Sequence, residues 1–210
     1  TRLQGDWSSD VCSSDLEVEN SPCAREPKEQ AKYLALGELM TSAAAAFYMH
    51  KYKHSFSLLD ARDVIETAGG GYLDCDVDLD ASRDLVGLLD DAFEESSTII
   101  TQGFIASNSK SETTLLGFDG SDYSAVIFGV LAGAEEVILW KDVDGVFDQD
   151  PSIFGAKVLP LLKYDNALKL VANGHPVVHP KAIQLAKEWD VHIRVKNFFH
   201  PEKEGTLIAG

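Results

Sequence analysis

One segment of the sequence combines the residue types that can hold a nucleotide. It runs from Trp140 to Pro151 and reads Trp-Lys-Asp-Val-Asp-Gly-Val-Phe-Asp-Gln-Asp-Pro, directly after a strongly apolar strand pattern. In open α/β sheets, ligands bind beyond the carboxyl ends of the strands. A lysine, several carboxylates and a glycine in such a loop suit a nucleotide site. The alternative is a solvated turn that ends at Asp-Pro.

A second segment has the residue types that bind an anion. It runs from Gly117 to Ala125 and reads Gly-Phe-Asp-Gly-Ser-Asp-Tyr-Ser-Ala. Its two glycines allow a tight turn, and Ser121 is a natural N-cap for the helix predicted to follow. The first turn of a helix offers free N–H groups and the positive end of the helix dipole. The alternative is an ordinary capped helix after a turn.

Other clusters do not fit a known phosphate or metal site. Gly69-Gly70-Gly71 lacks the Lys-Ser or Lys-Thr that completes a Walker-type loop. The alternating aspartates that follow it have Leu79 and Leu85 where a calcium loop requires glycine and glutamate. Prolines interrupt any helix that would put His175 and His179 on one face. The sequence therefore predicts no metal-ligating residues.

Composition argues against several classes of function. The 210 residues are 45% hydrophobic and 25% charged, which is typical of a globular domain. No apolar run reaches the roughly 18 residues of a membrane span, so we expect no membrane partner. The net charge of −16 disfavours a nucleic-acid partner. Cys23 and Cys75 form no CxxC pair and no disulfide framework, which fits a reducing, cytoplasmic environment.

The elements that must position the two segments alternate in type. Helices are predicted over Glu26–His54 (in two pieces that meet near Leu36-Gly37), Arg83–Glu95, Ser121–Ala134, Tyr164–Asn173 and Pro180–Asp190. Strands are predicted over Phe56–Leu59, Ser97–Thr101, Thr113–Leu116, Glu136–Trp140, Val191–Val195 and Thr206–Ile208. Alternating strands and helices indicate an α/β fold with a mostly parallel sheet.

The first sixteen residues differ in character from the rest. They have neither helical nor strand periodicity and lack the basic and apolar regions of a signal peptide. They resemble the translation of a sequencing adapter, and the alternative is a natural disordered tail. We therefore place one domain over residues 17–210.

Six stretches, in this order, are similar to the later two-thirds of an aspartokinase catalytic domain, in the amino acid kinase superfamily. They are Gly37–Ser42, Gln102–Ile105, Gly117–Tyr123, Lys141–Val146 with Asp150-Pro151, Val177–Pro180, and Arg194–Asn197 with Gly205–Ile208. The resemblance implies a three-layer αβα sandwich with a mostly parallel central sheet. It also implies that the chain is a fragment without the family's opening strand and phosphate loop, inactive by itself, and without the regulatory ACT domains that usually follow.

The resemblance implies phosphoryl transfer from ATP, with Mg²⁺, to the side-chain carboxylate of L-aspartate. The product, 4-phospho-L-aspartate, leads to lysine, threonine and methionine, and the full-length enzyme is expected to be a homo-oligomer. Such catalysis depends on positioning and charge neutralisation.

The resemblance also implies a role for particular residues. The expected substrate-binding residues are Glu38, which pairs with the substrate ammonium, and Phe118, Gly120 and Ser121. Asp122 is the expected catalytic residue. The expected nucleotide-binding residues are Lys141, Asp142, Phe147, Asp150, Pro151 and Val177.

Two departures from the family pattern leave alternatives open. Phe118 stands where the family has an arginine that clamps the substrate α-carboxylate, and Asp119 replaces a glycine. Pro176 replaces a lysine, and Lys181 is the candidate to compensate for it in part. The alternatives are a kinase of the same superfamily with a different acidic substrate, and a degenerate, non-catalytic ligand-binding module.

Overall fold

The computed structural model describes residues 26–149, 154–172 and 177–210, and the chain divides into two compact units between Phe118 and Asp119. The predicted tail, residues 1–16, lies outside the described residues, and the single domain over 17–210 stays a prediction. Within the described ranges, no helix is both long and apolar enough to cross a membrane.

The first unit combines helices with short strands. Its elements are helix α1 (Pro27–Lys51), strand β1 (Ser57–Leu58), a 3₁₀ turn (Ala61–Asp63), strand β2 (Glu66–Thr67), helices α2 (Leu79–Asp84) and α3 (Gly87–Glu95), and strands β3 (Ile99–Ile100), β4 (Ile105–Asn108) and β5 (Thr113–Leu115). Strand β1 pairs with β3 in parallel, β2 pairs with β4 in parallel, and β4 pairs with β5 antiparallel. Residues at 64–65, 105–106 and 115–116 form the buried core of this unit.

Two helix predictions in this unit were wrong in their boundaries. Helix α1 is continuous through Gly37, where two pieces were expected, because the helix-forming residues around this glycine carry the helix across it. The single helix predicted over Arg83–Glu95 is two helices. The Asp78 carboxylate accepts a 3.0 Å hydrogen bond from Ala81 N and starts α2 early, and a break at Leu85 and Val86 precedes α3.

The second unit has a four-stranded sheet. Its elements are helix α4 (Gly120–Leu131), strands β6 (Glu136–Lys141) and β7 (Leu161–Lys163), helices α5 (Tyr164–Ala172) and α6 (Pro180–Trp189), and strands β8 (His192–Asn197) and β9 (Thr206–Ala209). The strand order is β6-β8-β9-β7, in which β6–β8 and β7–β9 are parallel and β8–β9 is antiparallel. The predicted α/β class with mostly parallel pairing is confirmed, although β2, β4 and β7 were not predicted.

Alternation along β6 and β8 defines the buried face of this sheet. Val137 and Leu139 of β6 and Ile193 and Val195 of β8 are buried, whereas the residues between them are partly exposed. Helix α4 packs close to this face, since a Cβ at Gly129 would lie 2.4 Å from Val137 Cγ2. The register pairs Lys141 with Asn197, so the carboxyl ends of β6 and β8 lie side by side.

The carboxylate of Glu112 ties three parts of the first unit together. Its Oε1 lies 2.6 Å from Lys28 Nζ of α1. Its Oε2 accepts hydrogen bonds from the Tyr72 hydroxyl at 2.6 Å and from Asn108 Nδ2 at 3.1 Å. These donors, Lys28 first, lower the pKa of Glu112 to about 2.

We predict that Glu112 contributes to acid denaturation. Its pKa in the folded chain lies below the ordinary glutamate value, so its stabilisation is complete above that value and is lost as the pH falls towards about 2. The Glu112→Gln variant should therefore lose less thermal stability than the parent between about pH 5 and pH 2. Glu29→Gln, which removes an exposed carboxylate of helix α1, is the control and should keep the pH dependence of the parent. If the melting temperatures of the parent and of Glu112→Gln fall equally between about pH 5 and pH 2, the assignment is contradicted.

Candidate active site

An ion pair joins the end of β6 to the first turn of α4. Lys141 Nζ lies 2.7 Å from Asp122 Oδ1 and 2.9 Å from Asp122 Oδ2. The Asp122 side chain is 8% exposed and that of Lys141 is 27% exposed, so the carboxylate is buried while part of the lysine reaches solvent. The pair thus holds a cationic side chain at the carboxyl edge of the sheet.

A third element completes the environment of Asp122. The backbone N–H of His179, at the start of α6, donates a 3.1 Å hydrogen bond to Asp122 Oδ2. The His179 Nδ1 atom caps α6 by accepting from Lys181 N at 3.2 Å, and its ring stacks on Tyr123 at 6.1 Å between centroids. Asp122 therefore fixes the end of one strand and the starts of two helices relative to each other.

The start of α4 differs from the prediction. Ser121 was expected to be the N-cap, but the N-cap position is Asp119, whose φ of 56° is left-handed and whose side chain makes no capping hydrogen bond. The helix begins one residue earlier than expected, at buried Gly120, which places exposed Ser121 inside its first turn. The left-handed residue turns the chain into the helix without a capping side chain.

The loop after β6 is anchored through Asp144. Its Oδ1 accepts from Asn197 Nδ2 at 2.8 Å, and its Oδ2 lies 2.6 Å from Lys203 Nζ. The hydrogen bond from Lys203, followed by that from Asn197, lowers the pKa of Asp144. Asp142 is exposed, and its carbonyl oxygen lies 3.5 Å from Asn197 Nδ2. Asp144 thus anchors the first part of this loop, whereas Asp142 is exposed.

Gly145 lets this loop pack against β9. Its φ is 144°, and a Cβ there would lie 2.6 Å from Thr206 Oγ1 and 2.8 Å from Val158 Cγ1. The next residue, Val146, donates its N–H to Thr206 Oγ1 at 2.8 Å. Phe147 then forms an antiparallel bridge with Val158. A side chain at residue 145 would displace the loop from Thr206.

The structure describes only some of the remaining residues that were predicted to bind the nucleotide. Val177 lines a small apolar cavity of about 10 Å³ together with Val146 and Ile183. Asp150 and Pro151 lie outside the described residues. The structure thus brings Lys141, Asp122 and the Asp144 loop to one sheet edge, and the nucleotide roles assigned to Asp142, Phe147 and Val177 stay predictions.

Glu38 and Phe118 belong to the first unit. Glu38 is half-buried on α1, and this burial raises the pKa of its carboxyl group. Among the described residues it has no hydrogen-bond or ion-pair partner. Phe118 is 65% exposed. A half-buried carboxylate with no partner is costly, and a bound cation would offset that cost.

Three contributors to this edge were not assigned a role from sequence. His179 contributes through its backbone N–H, Asn197 through its amide, and Thr206 through its hydroxyl. The signal for Asn197 was its position at the end of a strand that runs beside the Lys141 strand. A backbone donor such as His179 N leaves no signal in residue type.

Three comparisons with known proteins agree on the relationship. The model of the amino acid kinase family matches residues 4–197. Aspartokinase 3 of Arabidopsis thaliana (chloroplastic) is 34% identical over 180 residues, which cover 84% of this chain and 32% of that protein. The bifunctional aspartokinase/homoserine dehydrogenase of Haemophilus influenzae is 33% identical over 175 residues, covering 83% of this chain and 21% of that protein.

A solved structure gives the same relationship in three dimensions. E. coli aspartokinase III, crystallised with aspartate and ADP, superposes with a TM-score of 0.84 at 27% identity, over 96% of this chain and 45% of that chain. The resemblance to aspartokinases and the predicted amino acid kinase fold are therefore confirmed. This chain spans about a third of the length of the Arabidopsis aspartokinase that it matches.

We predict that Lys141→Met destabilises the second unit by leaving the Asp122 carboxylate buried and short of a partner. The expected loss in free energy of unfolding is about 1–3 kcal/mol, and part of it returns in Lys141→Met/Asp122→Asn because asparagine carries no charge. Urea unfolding measures both. Lys187→Met, which removes an exposed lysine from its 2.6 Å contact with Asp165, is the matched control and should change stability by less than about 0.5 kcal/mol. Equal losses in the two single variants would refute the analysis.

We predict that Gly145→Ala costs more than backbone strain alone. A Cβ there meets Thr206 and Val158, whereas a Cβ at Gly133, with φ 63°, meets nothing within 4 Å. Gly133→Ala should cost about 1 kcal/mol of unfolding free energy, and Gly145→Ala at least about 2 kcal/mol. Chemical denaturation of the two variants side by side measures the added cost of these contacts together with that of the more strained φ at residue 145. The same cost at both sites would show that the loop can move away from Thr206.

Proposed function

This chain belongs to the amino acid kinase family, and we propose that it is part of an aspartate kinase. The reaction is transfer of the γ-phosphoryl group of ATP to the side-chain carboxylate of L-aspartate, which gives 4-phospho-L-aspartate. The observation that carries the proposal is the Lys141–Asp122 pair at the carboxyl edge of β6 and β8, in a chain similar to aspartokinases.

The chemistry explains why such a pair is useful. The aspartate carboxylate is already ionised at pH 7, so it needs no general base to become a nucleophile. The barrier comes from bringing this anion up to a polyanionic triphosphate, and preorganised cations lower it. Asp122 holds the Lys141 ammonium in place before any substrate binds. Lys141 is thus ready to neutralise phosphate charge, and Asp122 is the residue that orients it.

Glu38 is the proposed partner of the substrate ammonium. It is half-buried and has no partner among the described residues. An ammonium group beside it would satisfy the carboxylate and favour its ionised form. Gly120 and Ser121 are proposed to hold the substrate at the start of α4.

The nucleotide is proposed to use the loop after β6. Asp142 and Phe147, with Asp150 and Pro151, would line the site, and Val177 would approach it. Mg²⁺ usually binds through substrate phosphates and one or two carboxylates. The described ranges hold no group of three or more His, Cys, Asp or Glu residues able to bind a metal. Asp122 is already bound to Lys141 and to the backbone N–H of His179, so we assign it no role in binding Mg²⁺.

One observation favours a second candidate function. Phe118 is exposed and apolar at the position where an arginine would bind the substrate α-carboxylate. A kinase of the same family that acts on a different acid is therefore the runner-up.

The aspartate kinase proposal has three further parts. They are the cytoplasmic location, the role in lysine, threonine and methionine biosynthesis, and the homo-oligomeric state.

The test is an ADP-release assay with ATP, Mg²⁺ and a panel of amino acids, on the full-length product of the gene that encodes this sequence. We expect turnover with L-aspartate and a fall in kcat of about 10²–10³-fold in Lys141→Met. Lys187→Met, which removes an equally short but exposed Lys–Asp contact, should leave kcat unchanged. Turnover only with another acid would favour the runner-up, and ATP binding without turnover would indicate a non-catalytic module.

Phe118→Arg refines the substrate assignment within that assay. Restoring a bidentate donor for the α-carboxylate should lower the KM for aspartate. An unchanged KM would show that another group binds that carboxylate.

A further inference from the structure

A buried chain of hydrogen bonds connects the 3₁₀ turn to helix α1 through Gln102. The backbone N–H of Ala61 donates to Gln102 Oε1 at 2.8 Å, and Gln102 Nε2 donates to Ser42 Oγ at 2.8 Å. Ser42 Oγ donates in turn to the carbonyl oxygen of Leu39 at 3.1 Å. We call this chain the Gln102 relay. It ends at the residue that follows Glu38.

We propose that Gln102 is a positioning residue that sets the place of Glu38 in the substrate site through Ser42, an inference that rests on the proposed aspartate kinase function. Gln102 does not itself touch the substrate in this proposal. It acts by holding the segment of α1 that carries the Glu38 carboxylate.

The direction of every hydrogen bond in the relay is determined. The Ala61 N–H can only donate, so the carbonyl oxygen of the Gln102 amide must face it. The Gln102 NH₂ group then faces Ser42, whose hydroxyl proton is left for the Leu39 carbonyl. All three bonds run in one direction, an arrangement in which each bond polarises the next. A residue that only accepts would reverse the bond to Ser42 and take the Ser42 hydroxyl proton away from the Leu39 carbonyl.

Burial makes the relay costly to break. Gln102 and Ser42 are each 6% exposed. If the amide is removed, the Ala61 N–H loses its acceptor and the Ser42 hydroxyl loses its donor, both away from water. The protein must then either leave these groups unsatisfied or move α1 until water reaches them.

Helix α1 has few other anchors near Glu38. Its buried residues are Ala31, Ala35 and Ser42, and Ser42 is the one of these that lies after Glu38. Ala31, Ala35, Glu38 and Ser42 follow each other at spacings of three and four, so they share one face of the helix. Ala31 and Ala35 pack through a single methyl group each, and the Lys28–Glu112 ion pair lies ten residues before Glu38. Among the described residues, the Gln102–Ser42 bond is therefore the directional contact of this face nearest to Glu38. The position of Glu38 along that face therefore depends on Gln102.

The test compares Gln102→Leu with the parent in the full-length enzyme. We expect the KM for aspartate to rise about tenfold or more, with the KM for ATP and the kcat changed by less than about twofold. Ser42→Ala should have the same effect, and Gln102→Leu/Ser42→Ala should be no worse than either single variant because both interrupt one chain of bonds. Gln102→Glu should not reach the parent KM, because it buries a charge in place of the neutral amide and turns the Ser42 hydroxyl proton away from the Leu39 carbonyl.

A core variant separates positioning from loss of stability. Leu89→Ala removes a buried side chain of α3 in the same unit, outside the relay. If it lowers the melting temperature as much as Gln102→Leu but leaves the KM for aspartate unchanged, the effect of Gln102 is specific. An equal rise in KM in Leu89→Ala, or an unchanged KM in folded Gln102→Leu, overturns the proposal.

A second measurement decides the relay without turnover. Carboxyl-carbon NMR of the 210-residue chain follows the titration of Glu38, whose pKa burial raises. Loosening α1 admits water to this carboxylate, so Gln102→Leu should move the titration midpoint down towards the ordinary glutamate value. If the parent enzyme fails to use aspartate, the proposed function falls, and an unmoved midpoint would then overturn the relay as well.

Discussion

The second unit depends on the pairing of Lys141 with Asp122. A carboxylate as buried as Asp122 needs a partner, and it receives the Lys141 ammonium on both oxygens and the His179 N–H on one of them. These three contacts fix the end of β6, the first turn of α4 and the first turn of α6 at one point. The register of β6 with β8 extends the arrangement to Asn197, which holds the loop after β6 through Asp144. The edge of the sheet is thus a continuous polar network that starts from one ion pair.

The sequence predicted the fold class well where the apolar pattern is long. Strands β6 and β8 and helix α6 lie within a few residues of their expected bounds, because alternation or a proline start marks them. Strands of two residues, such as β2, are too short to show a period, so their pairing is decided by contacts distant in sequence. The break between α2 and α3 was missed for a different reason. It follows from Asp78, a cap that lies before the amphipathic stretch and starts a separate helix.

The site was predicted in parts, and its assembly was not. Lys141 and Asp122 were each singled out, in segments with different expected roles, yet nothing in their spacing shows that one side chain binds the other. That contact depends on α4 leading directly into β6 along one face of the sheet. The error at Ser121 is local: a residue type that favours capping lost to a left-handed Asp119, and a preference of about 1 kcal/mol can be overridden by the path of the chain. Asn197 is a different case. Its role in the site follows from its position at the end of β8, beside Lys141, and its residue type alone did not mark it.

The two charged groups proposed to contact the substrate differ in whether the protein supplies a partner of opposite charge. Lys141 is compensated in advance by Asp122, so its position does not depend on a ligand. Glu38 is half-buried without a partner, and burial raises the pKa of its carboxyl group. A carboxylate in that state binds a proton or a cation more readily than an exposed one, and the two compete. Under the proposed function, the substrate ammonium would favour the ionised form of Glu38 and lower the pKa that burial has raised. In this proposal Asp122 holds Lys141, the cation for the phosphate groups, in place in advance. Glu38, the anion for the amino acid, obtains its partner only when the substrate ammonium binds.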